Sequence, residues 1–370
     1  MEKRSADRRT VWLILLTIIF SAAVLSGAVM YRQQLEADGA KETAIPDGIP
    51  KMSWDKTRSE ESMLELEAYF YELQPKVAIK NSPDFEWKDI CPDHFWVKEF
   101  TVTTYKNSPY KVYNFTYIDG AKDNKKMSAA IESEAQDIIN IALAKDSDIW
   151  NRILTVHDEL IRRIYFVSDD NGDGNTRNLY GALVEHRAVC QGYAYAFSYI
   201  LKNMDIDVSE IYSDEHMWNR VGSLDSGERY IDVTWDDYNN QDSSGRPYIH
   251  HDFFCLSKAE MEHFGEHNPE KNIQPKESDP QNAGDNYYTK MGYYIKSGDQ
   301  MSFNACALQQ YQSRKNLLEF RFESPDDYKQ AEEWIRSILP ALGYSEKYYT
   351  YKKDELLTFS AGLYPPADAE

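Results

Sequence analysis

Ala188-Val189-Cys190-Gln191-Gly192-Tyr193-Ala194-Tyr195-Ala196-Phe197 sets a single thiol at the mouth of an otherwise apolar run. The run continues to Met204 and reads as a helix beginning at Cys190, with Tyr193, Ala196, Phe197 and Ile200 spaced for one buried face. A thiol in the first turn of a helix meets the positive end of the macrodipole and unpaired backbone N–H groups, and both favour thiolate. Gly192 leaves room for another group to approach closely. The plain alternative is a small buried hydrophobe, the usual fate of a free cysteine. The sequence that follows decides between the two.

Glu215-His216-Met217-Trp218-Asn219-Arg220-Val221 reads as a strand over 216–222 that opens at His216. Tyr230-Ile231-Asp232-Val233-Thr234-Trp235-Asp236-Asp237 places Asp232 between Ile231 and Val233, within an expected strand over 229–235. An acid in that setting is costly unless a donor reaches it. Leu224-Asp225-Ser226-Gly227-Glu228 supplies a turn between the two strands. His216 and Asp232 are sixteen positions apart, so an even pairing register brings them to one face of the hairpin. There they can meet diagonally beneath the Cys190 helix. A thiol, an imidazole and an acid that orients the imidazole form a nucleophile–base–orienter set.

The rest of the chain gives this core a setting. The 370 residues carry 41 Lys+Arg against 61 Asp+Glu, a net charge of −20, with 14% aromatic residues. That aromatic share is too high for a disordered chain. So acidic a molecule is a poor partner for nucleic-acid phosphates and anionic lipid surfaces. Residues 1–10 carry Lys3, Arg4, Arg8 and Arg9, and an uncharged run from Val11 to Tyr31 follows. Twenty-one helical residues span about 31 Å, the thickness of a bilayer core. The run is expected to be one transmembrane anchor or a cleaved signal, with 1–10 cytoplasmic and the main domain extracellular. Residues 32–58 read as a linker, 59–140 as an N-terminal accessory region, 141–260 as the core, and 261–370 as a C-terminal α+β region.

Helices are expected from a capping box at Thr57 and Glu60, over 128–144, and through Ile149, Ile153, Leu160 and Ile164. Another opens at Ser324-Pro325-Asp326-Asp327. A hairpin is expected over 98–118, and strands over 208–213, 253–256, 317–322, 348–352 and 355–360. Helices followed by an antiparallel run of strands indicate an α+β fold.

The Cys190, His216 and Asp232 segments resemble the transglutaminase-like superfamily with its papain-like core, its bacterial exported members in particular. The matching pieces are Tyr180-Gly181-Ala182-Leu183 leading to Val189-Cys190-Gln191-Gly192-Tyr193-Ala194, then His216-Met217-Trp218-Asn219 and Asp232-Val233-Thr234-Trp235-Asp236. Pro92-Asp93-His94-Phe95-Trp96 and His157-Asp158 are similar to stretches in those members, and the resemblance covers about 90–260. It implies a nucleophile helix packed on an antiparallel sheet, with Cys190 as nucleophile, His216 as base and Asp232 as orienter. Family members include cross-linkers, peptidases, amidases and proteins without known activity. The implied chemistry is attack on protein or peptide amides through a thioester at the cell surface. The alternatives are a cysteine peptidase or amidase on the same residues and a non-catalytic extracellular scaffold.

The backbone N–H of Cys190 is the simplest oxyanion donor. Gln191 and Tyr180 are candidates for a second, and Trp218 and Trp235 for the walls of an acyl slot. No cofactor is required. Asp169, Asn171 and Asp173 match a calcium loop in part, but Tyr180 stands where the bidentate Glu belongs. His250, His251 and Cys255, or His263 and His267, make incomplete zinc sets. Cys91, Cys255 and Cys306 could supply one disulfide outside the cell.

Overall fold

The computed structural model describes residues 45–86, 89–90, 94–106, 108–168, 175–213, 216–224, 227–242, 244–264, 267, 286–343 and 348–363. The expected anchor over 11–31 and the calcium-like residues Asp169, Asn171 and Asp173 lie outside them. Among the described residues no helix is long and apolar enough to cross a membrane. The fold is mixed α+β, and the chain divides after Lys126 into two compact units.

The first unit carries strand β1 (Lys51–Ser53), helix α1 (Ser59–Tyr71) and strands β2 (Lys76–Lys80), β3 (Val97–Thr104) and β4 (Tyr110–Tyr117). The strands lie in the order β1-β2-β4-β3, with the β3–β4 hairpin antiparallel and β1 parallel to β2. Helix α1 buries Leu66 and Phe70, and Phe70 meets Phe115 edge-on at 4.9 Å. The capping box expected at Thr57 does not form. The Thr57 hydroxyl donates to Asp55 instead, and the helix opens after Arg58 without a side-chain cap. Of the Pro92–Trp96 stretch, His94, Phe95 and Trp96 are buried in this unit, where the Trp96 indole donates to the Phe70 carbonyl.

Helix α2 (Asn124–Lys145) runs across the boundary. The second unit then carries α3 (Ile149–Arg163), β5 (Tyr165–Phe166), α4 (Leu179–Leu183), β6 (Arg187–Ala188) and α5 (Cys190–Lys202). Strands β7 (Val208–Tyr212), β8 (Met217–Leu224) and β9 (Gly227–Ile231) form an antiparallel sheet in that order, and α5 packs against β7 and β8. Helix α6 (Val233–Asp236) follows at once, then α7 (Lys258–Glu262) and α8 (Tyr287–Met291). A second sheet has the order β10-β11-β13-β12, from Tyr294–Ile295, Leu317–Phe322, Tyr348–Lys353 (β12) and Thr358–Leu363 (β13). Helices α9 (Gln300–Gln312) and α10 (Pro325–Ile338) pack on it, and Phe303 of α9 reaches Phe320 at 4.2 Å and Trp334 at 5.5 Å. Ser324 caps α10 by accepting from the N–H groups of Asp326 and Asp327.

Two expected strands change character. Strand β9 ends at Ile231 rather than 235, because the next residue caps a helix. Over 253–256 only Leu256 bridges, to Tyr230, since Cys255 sits at φ +59° and turns the chain away.

Gly192 explains how α5 is seated. A Cβ there would lie 2.7 Å from the Thr176 carbonyl oxygen and 2.8 Å from Ala188 Cβ. The obstacle is backbone, which cannot rotate aside as a side chain would. Gly192→Ala is therefore expected to destabilise the second unit by about 1–3 kcal/mol, read as a lower urea midpoint. An unchanged midpoint would show that α5 does not need this close approach.

Candidate functional site

Cys190 is the first residue of α5, half-buried, with Val189 in extended backbone before it. Two hydrogen-bonded links fix where that helix end sits. Asn219 of β8 donates its side-chain amide to the Ala194 carbonyl at 3.0 Å and to Ser198 Oγ at 2.9 Å. Tyr193 donates its hydroxyl to Asp237 Oδ2 at 2.5 Å, tying α5 to the end of α6. Both partners are on the page in the sequence, yet neither pairing has a local spacing that would announce it.

His216 closes the β7–β8 connection: its backbone N–H donates to Ser213 Oγ, and its carbonyl accepts from the Ser213 N–H. The register pairs Asn219 with Ile231 and Arg220 with Tyr230. Continued one step beyond the sheet, Trp218 stands opposite Asp232, and His216 lies two residues along on the same face. The diagonal meeting expected from parity is therefore the one found, with His216 Nε2 and Asp232 Oδ2 at 2.5 Å. The stacking of His216 on Trp218, at 6.0 Å and 13°, reflects the same i, i+2 relation.

Asp232 does more than a strand residue would. Its Oδ1 accepts from the N–H groups of Thr234 and Trp235, at 3.0 and 3.1 Å, and so caps α6. Its Oδ2 accepts from His216 and also from His267 Nε2, at 2.6 Å. His267 appeared in the sequence only as half of an incomplete zinc pair. Its role depends on a contact thirty-five residues away, for which no local spacing rule exists.

The electrostatics follow from this convergence. Burial alone would push His216 down, but the Asp232 carboxylate and the hydrogen-bonded Cys190 sulfur raise it from its ordinary 6.5 to about 10. Burial likewise works against the Asp232 carboxylate, yet the His216 charge and the two imidazole N–H donors hold it below the ordinary carboxylate range. The thiol, the imidazole and the carboxylate thus form one chain. Trp218, Trp235, Phe253 and Phe264 wall the buried part. His267 stands 4.4 Å from the Trp235 ring and stacks on Phe253 at 5.7 Å.

The other singled-out residues are placed as follows. Trp218 is buried with no hydrogen-bond partner for its indole N–H among the described residues, and Trp235 is half-buried beside His216 at 5.6 Å. The Gln191 amide turns back along its own helix to the Tyr195 hydroxyl at 3.4 Å. Tyr180 is the second residue of α4, its backbone N–H held by Asn178. Cys255 and Cys306 are buried, and Cys91 lies outside the described residues. His250 is buried with no hydrogen-bond partner for either ring nitrogen among the described residues, its Nδ1 standing 4.0 Å from Asp252 Oδ2, and burial pushes it down to about 4.

Two groups of side chains could gather around a metal ion, His216–Asp232–His267 and His157–Asp158–His251, each with ligand atoms within 4.8 Å of one another. In both, each imidazole turns a nitrogen to the shared carboxylate at 2.5–3.2 Å, so a metal would have to displace those shared protons. His251 belongs to this second group and does not join His250 and Cys255 in a zinc set.

A pH dependence of stability follows. His216 is raised on folding, so its contribution is complete below 6.5 and fades as pH climbs through about 10. Asp232 is lowered, so its contribution is complete above 3.8 and lost only as pH falls through its depressed folded value. Resistance of the wild type to urea should fall between pH 7 and 10, and His216→Phe should flatten that alkaline slope. Parallel slopes in the two proteins would remove the ion pair from the account.

No family model matches the chain, and comparison with curated proteins finds no match. Among solved structures, the crystal structure of a TGase aligns over 51% of this chain and 60% of its own, at 11% identity and a TM-score of 0.26. Menin, in a crystal structure that reveals its binding site for the Mixed Lineage Leukemia (MLL) protein, aligns over 33% of this chain and 28% of its own, at 22% identity and a TM-score of 0.24. The aligned part is thus less than two thirds of the length of either protein. At such scores neither likeness fixes the fold, and the case for chemistry rests on the side chains.

Proposed function

We propose that the chain is a thiol enzyme of transglutaminase-like type, acting on protein or peptide amides through Cys190, His216 and Asp232. The supporting observation is the unbroken chain from a half-buried thiol at a helix start, through an imidazole, to a fully buried carboxylate. With Nε2 committed to Asp232, the other ring nitrogen of His216 is the one left to serve the thiol. The papain-like core belongs to the same reading, supported by α5 packed on the antiparallel β7-β8-β9 sheet.

The chemistry runs in two balanced halves. The Cys190 thiolate forms a bond to the acyl carbon, and the backbone N–H at the helix start steadies the oxyanion. The carbon–nitrogen bond breaks as the His216 imidazolium gives its proton to the departing amine, leaving a thioester and a neutral imidazole. An incoming amine, or water, then yields a proton to His216 and attacks the thioester. The carbon–sulfur bond breaks and the thiolate returns. Asp232 holds the imidazole throughout and stabilises its charged form.

The reading extends to the cell surface. Its support is the uncharged run from Val11 to Tyr31 behind Lys3, Arg4, Arg8 and Arg9, the pattern of an anchor with a cytoplasmic N-terminus. Protease added to intact cells should remove the bulk of the chain, and full protection of 60–370 would reverse that topology.

Incubation of the enzyme with a glutamine-containing protein and a labelled amine tests the chemistry. Label on the protein marks acyl transfer, and chain cleavage marks a peptidase on the same residues. Cys190→Ala should abolish either outcome while changing stability by only about 1 kcal/mol, since a thiol gives way to a methyl. Because Cys255 and Cys306 are buried, their slow alkylation is no control for Cys190. The informative comparison is Cys190 alkylation at pH 6 before and after His216→Ala, where a tenfold or greater slowing is expected. Equal rates would leave the thiol without its partner, as a non-catalytic scaffold would have it.

A further inference from the structure

His267 is fully buried, and its ring is bounded by Trp218, Trp235, Phe253 and Phe264. In an aromatic enclosure the ordinary expectation is a ring that packs, yet this one carries a directed bond. Its Nε2 meets Asp232 Oδ2 at 2.6 Å, while its Nδ1 is buried with no hydrogen-bond partner among the described residues. A carboxylate oxygen can only accept, so Nε2 is the donor in this contact. The same Oδ2 receives His216 Nε2 at 2.5 Å, and the two imidazoles stand 4.9 Å apart at 74°.

We propose that His267 is a positioning residue for the Cys190 site, acting through Asp232: it pins the carboxylate oxygen that orients His216 and takes up part of that oxygen's charge. The proposal rests on the reading of Cys190, His216 and Asp232 as nucleophile, base and orienter. Its physical content is a balance. A carboxylate that served His216 alone in an apolar enclosure would hold the imidazolium so tightly that the proton would be slow to leave for the departing amine. A second donor on the same oxygen spreads the charge and keeps the imidazole an acid of useful strength. The donors on Oδ1, the Thr234 and Trp235 N–H groups, fix the other half of the carboxylate, so that its plane is held at both oxygens.

The groups that face His216 define what else could move its titration. Cys190 faces it from the start of α5, Asp232 from the start of α6, and His267 from beyond α7. A fixed cation beside the aromatic enclosure is Lys353 of β12, whose ammonium lies over the Trp235 ring at 5.5 Å and over Phe253 at 5.2 Å. Of these, only His267 shares the carboxylate oxygen with His216.

The test is a nuclear magnetic resonance titration of the His216 ring in the full chain carrying Cys190→Ala, which removes the thiolate's own influence. Adding His267→Phe keeps a ring in the aromatic enclosure but deletes the donor. The His216 titration should then move upward by about 1 pH unit, and His267→Gln, whose amide nitrogen reaches about where Nε2 stands, should restore the parent value. A merely structural His267 would lower the melting temperature and leave the titration where it was, and that result would overturn the proposal. Should His267→Phe not fold, Gln against Asn carries the same contrast, because the shorter amide stops short of Oδ2. An upward shift with Asn but not Gln supports the assignment, and equal values overturn it. The titration does not depend on turnover. Absence of any thiol activity in the wild type would therefore defeat the reading of Cys190 while leaving the His267–Asp232 coupling established or refuted on its own.

Discussion

Four donors converge on the Asp232 carboxylate: two imidazoles on Oδ2 and two backbone N–H groups on Oδ1. A buried anion is tolerable only when its lone pairs are filled in this way, and filling them settles the surrounding geometry. Capping the N–H groups of Thr234 and Trp235 ends β9 at Ile231 and starts α6. The Asp232 N–H, meanwhile, donates to the Phe253 carbonyl and draws in the segment that walls the site. The position of His216 follows from that of Asp232, and the approach of Cys190 follows from both. One carboxylate is at once a strand terminator, a helix cap and the anchor of the imidazole.

The far end of α6 repeats the arrangement with other partners. Asp236, fully buried, lies 3.2 Å from His157 Nε2 and accepts from the Phe253 N–H; burial raises it to about 7 against the opposing pull of His157. From there the polar contacts continue through Asp158 to His251, Glu319, Tyr287 and Lys315. Burial would push His251 down and Glu319 up. Their mutual attraction wins, raising His251 to about 9 and lowering Glu319 to about 2, so the pair is ionised at neutral pH. A four-residue helix has almost no stability of its own. Here it is held at both ends by carboxylates with histidine partners, and through them it connects α3, the Cys190 helix and the second sheet.

Much of this was legible in the sequence, and what was not has a physical reason. The helix start at Cys190, the hairpin and the meeting of His216 with Asp232 depend on period and parity, which a linear sequence displays. The end of β9 was misplaced because Ile231, Val233 and Trp235 read as strand, while Asp232, Thr234 and Asp236 also fit a capped first turn; tertiary hydrogen bonds decided for the helix. Thr57 lost its capping role to Asp55, a competitor two residues away. Helix α9 escaped notice because its buried stripe, Phe303, Cys306, Ala307 and Gln310, ends on a polar residue and is blurred by Met301 and Leu308, which are exposed. The partnership of His267 with Asp232 lay beyond any spacing rule.

Burial is unequal along the thiol–imidazole–carboxylate chain, and that inequality bears on how the proposed chemistry would begin. Asp232 is 1% exposed and His216 8%, whereas Cys190 is only half-buried. The strongest interactions are therefore formed and desolvated during folding, before any substrate arrives. Only the thiol end remains to lose water when an acyl group is bound. The cavity of about 220 Å³ lined by Arg229, Cys255, Asn286, Arg321 and Leu356 includes none of the three residues. In the proposed chemistry, a half-buried thiol at a helix end, with its charge partners sealed behind it, would meet the amide from the solvent side. The Asp232 enclosure would then set the reactivity of the thiol, and the surface around Cys190 would select what reaches it.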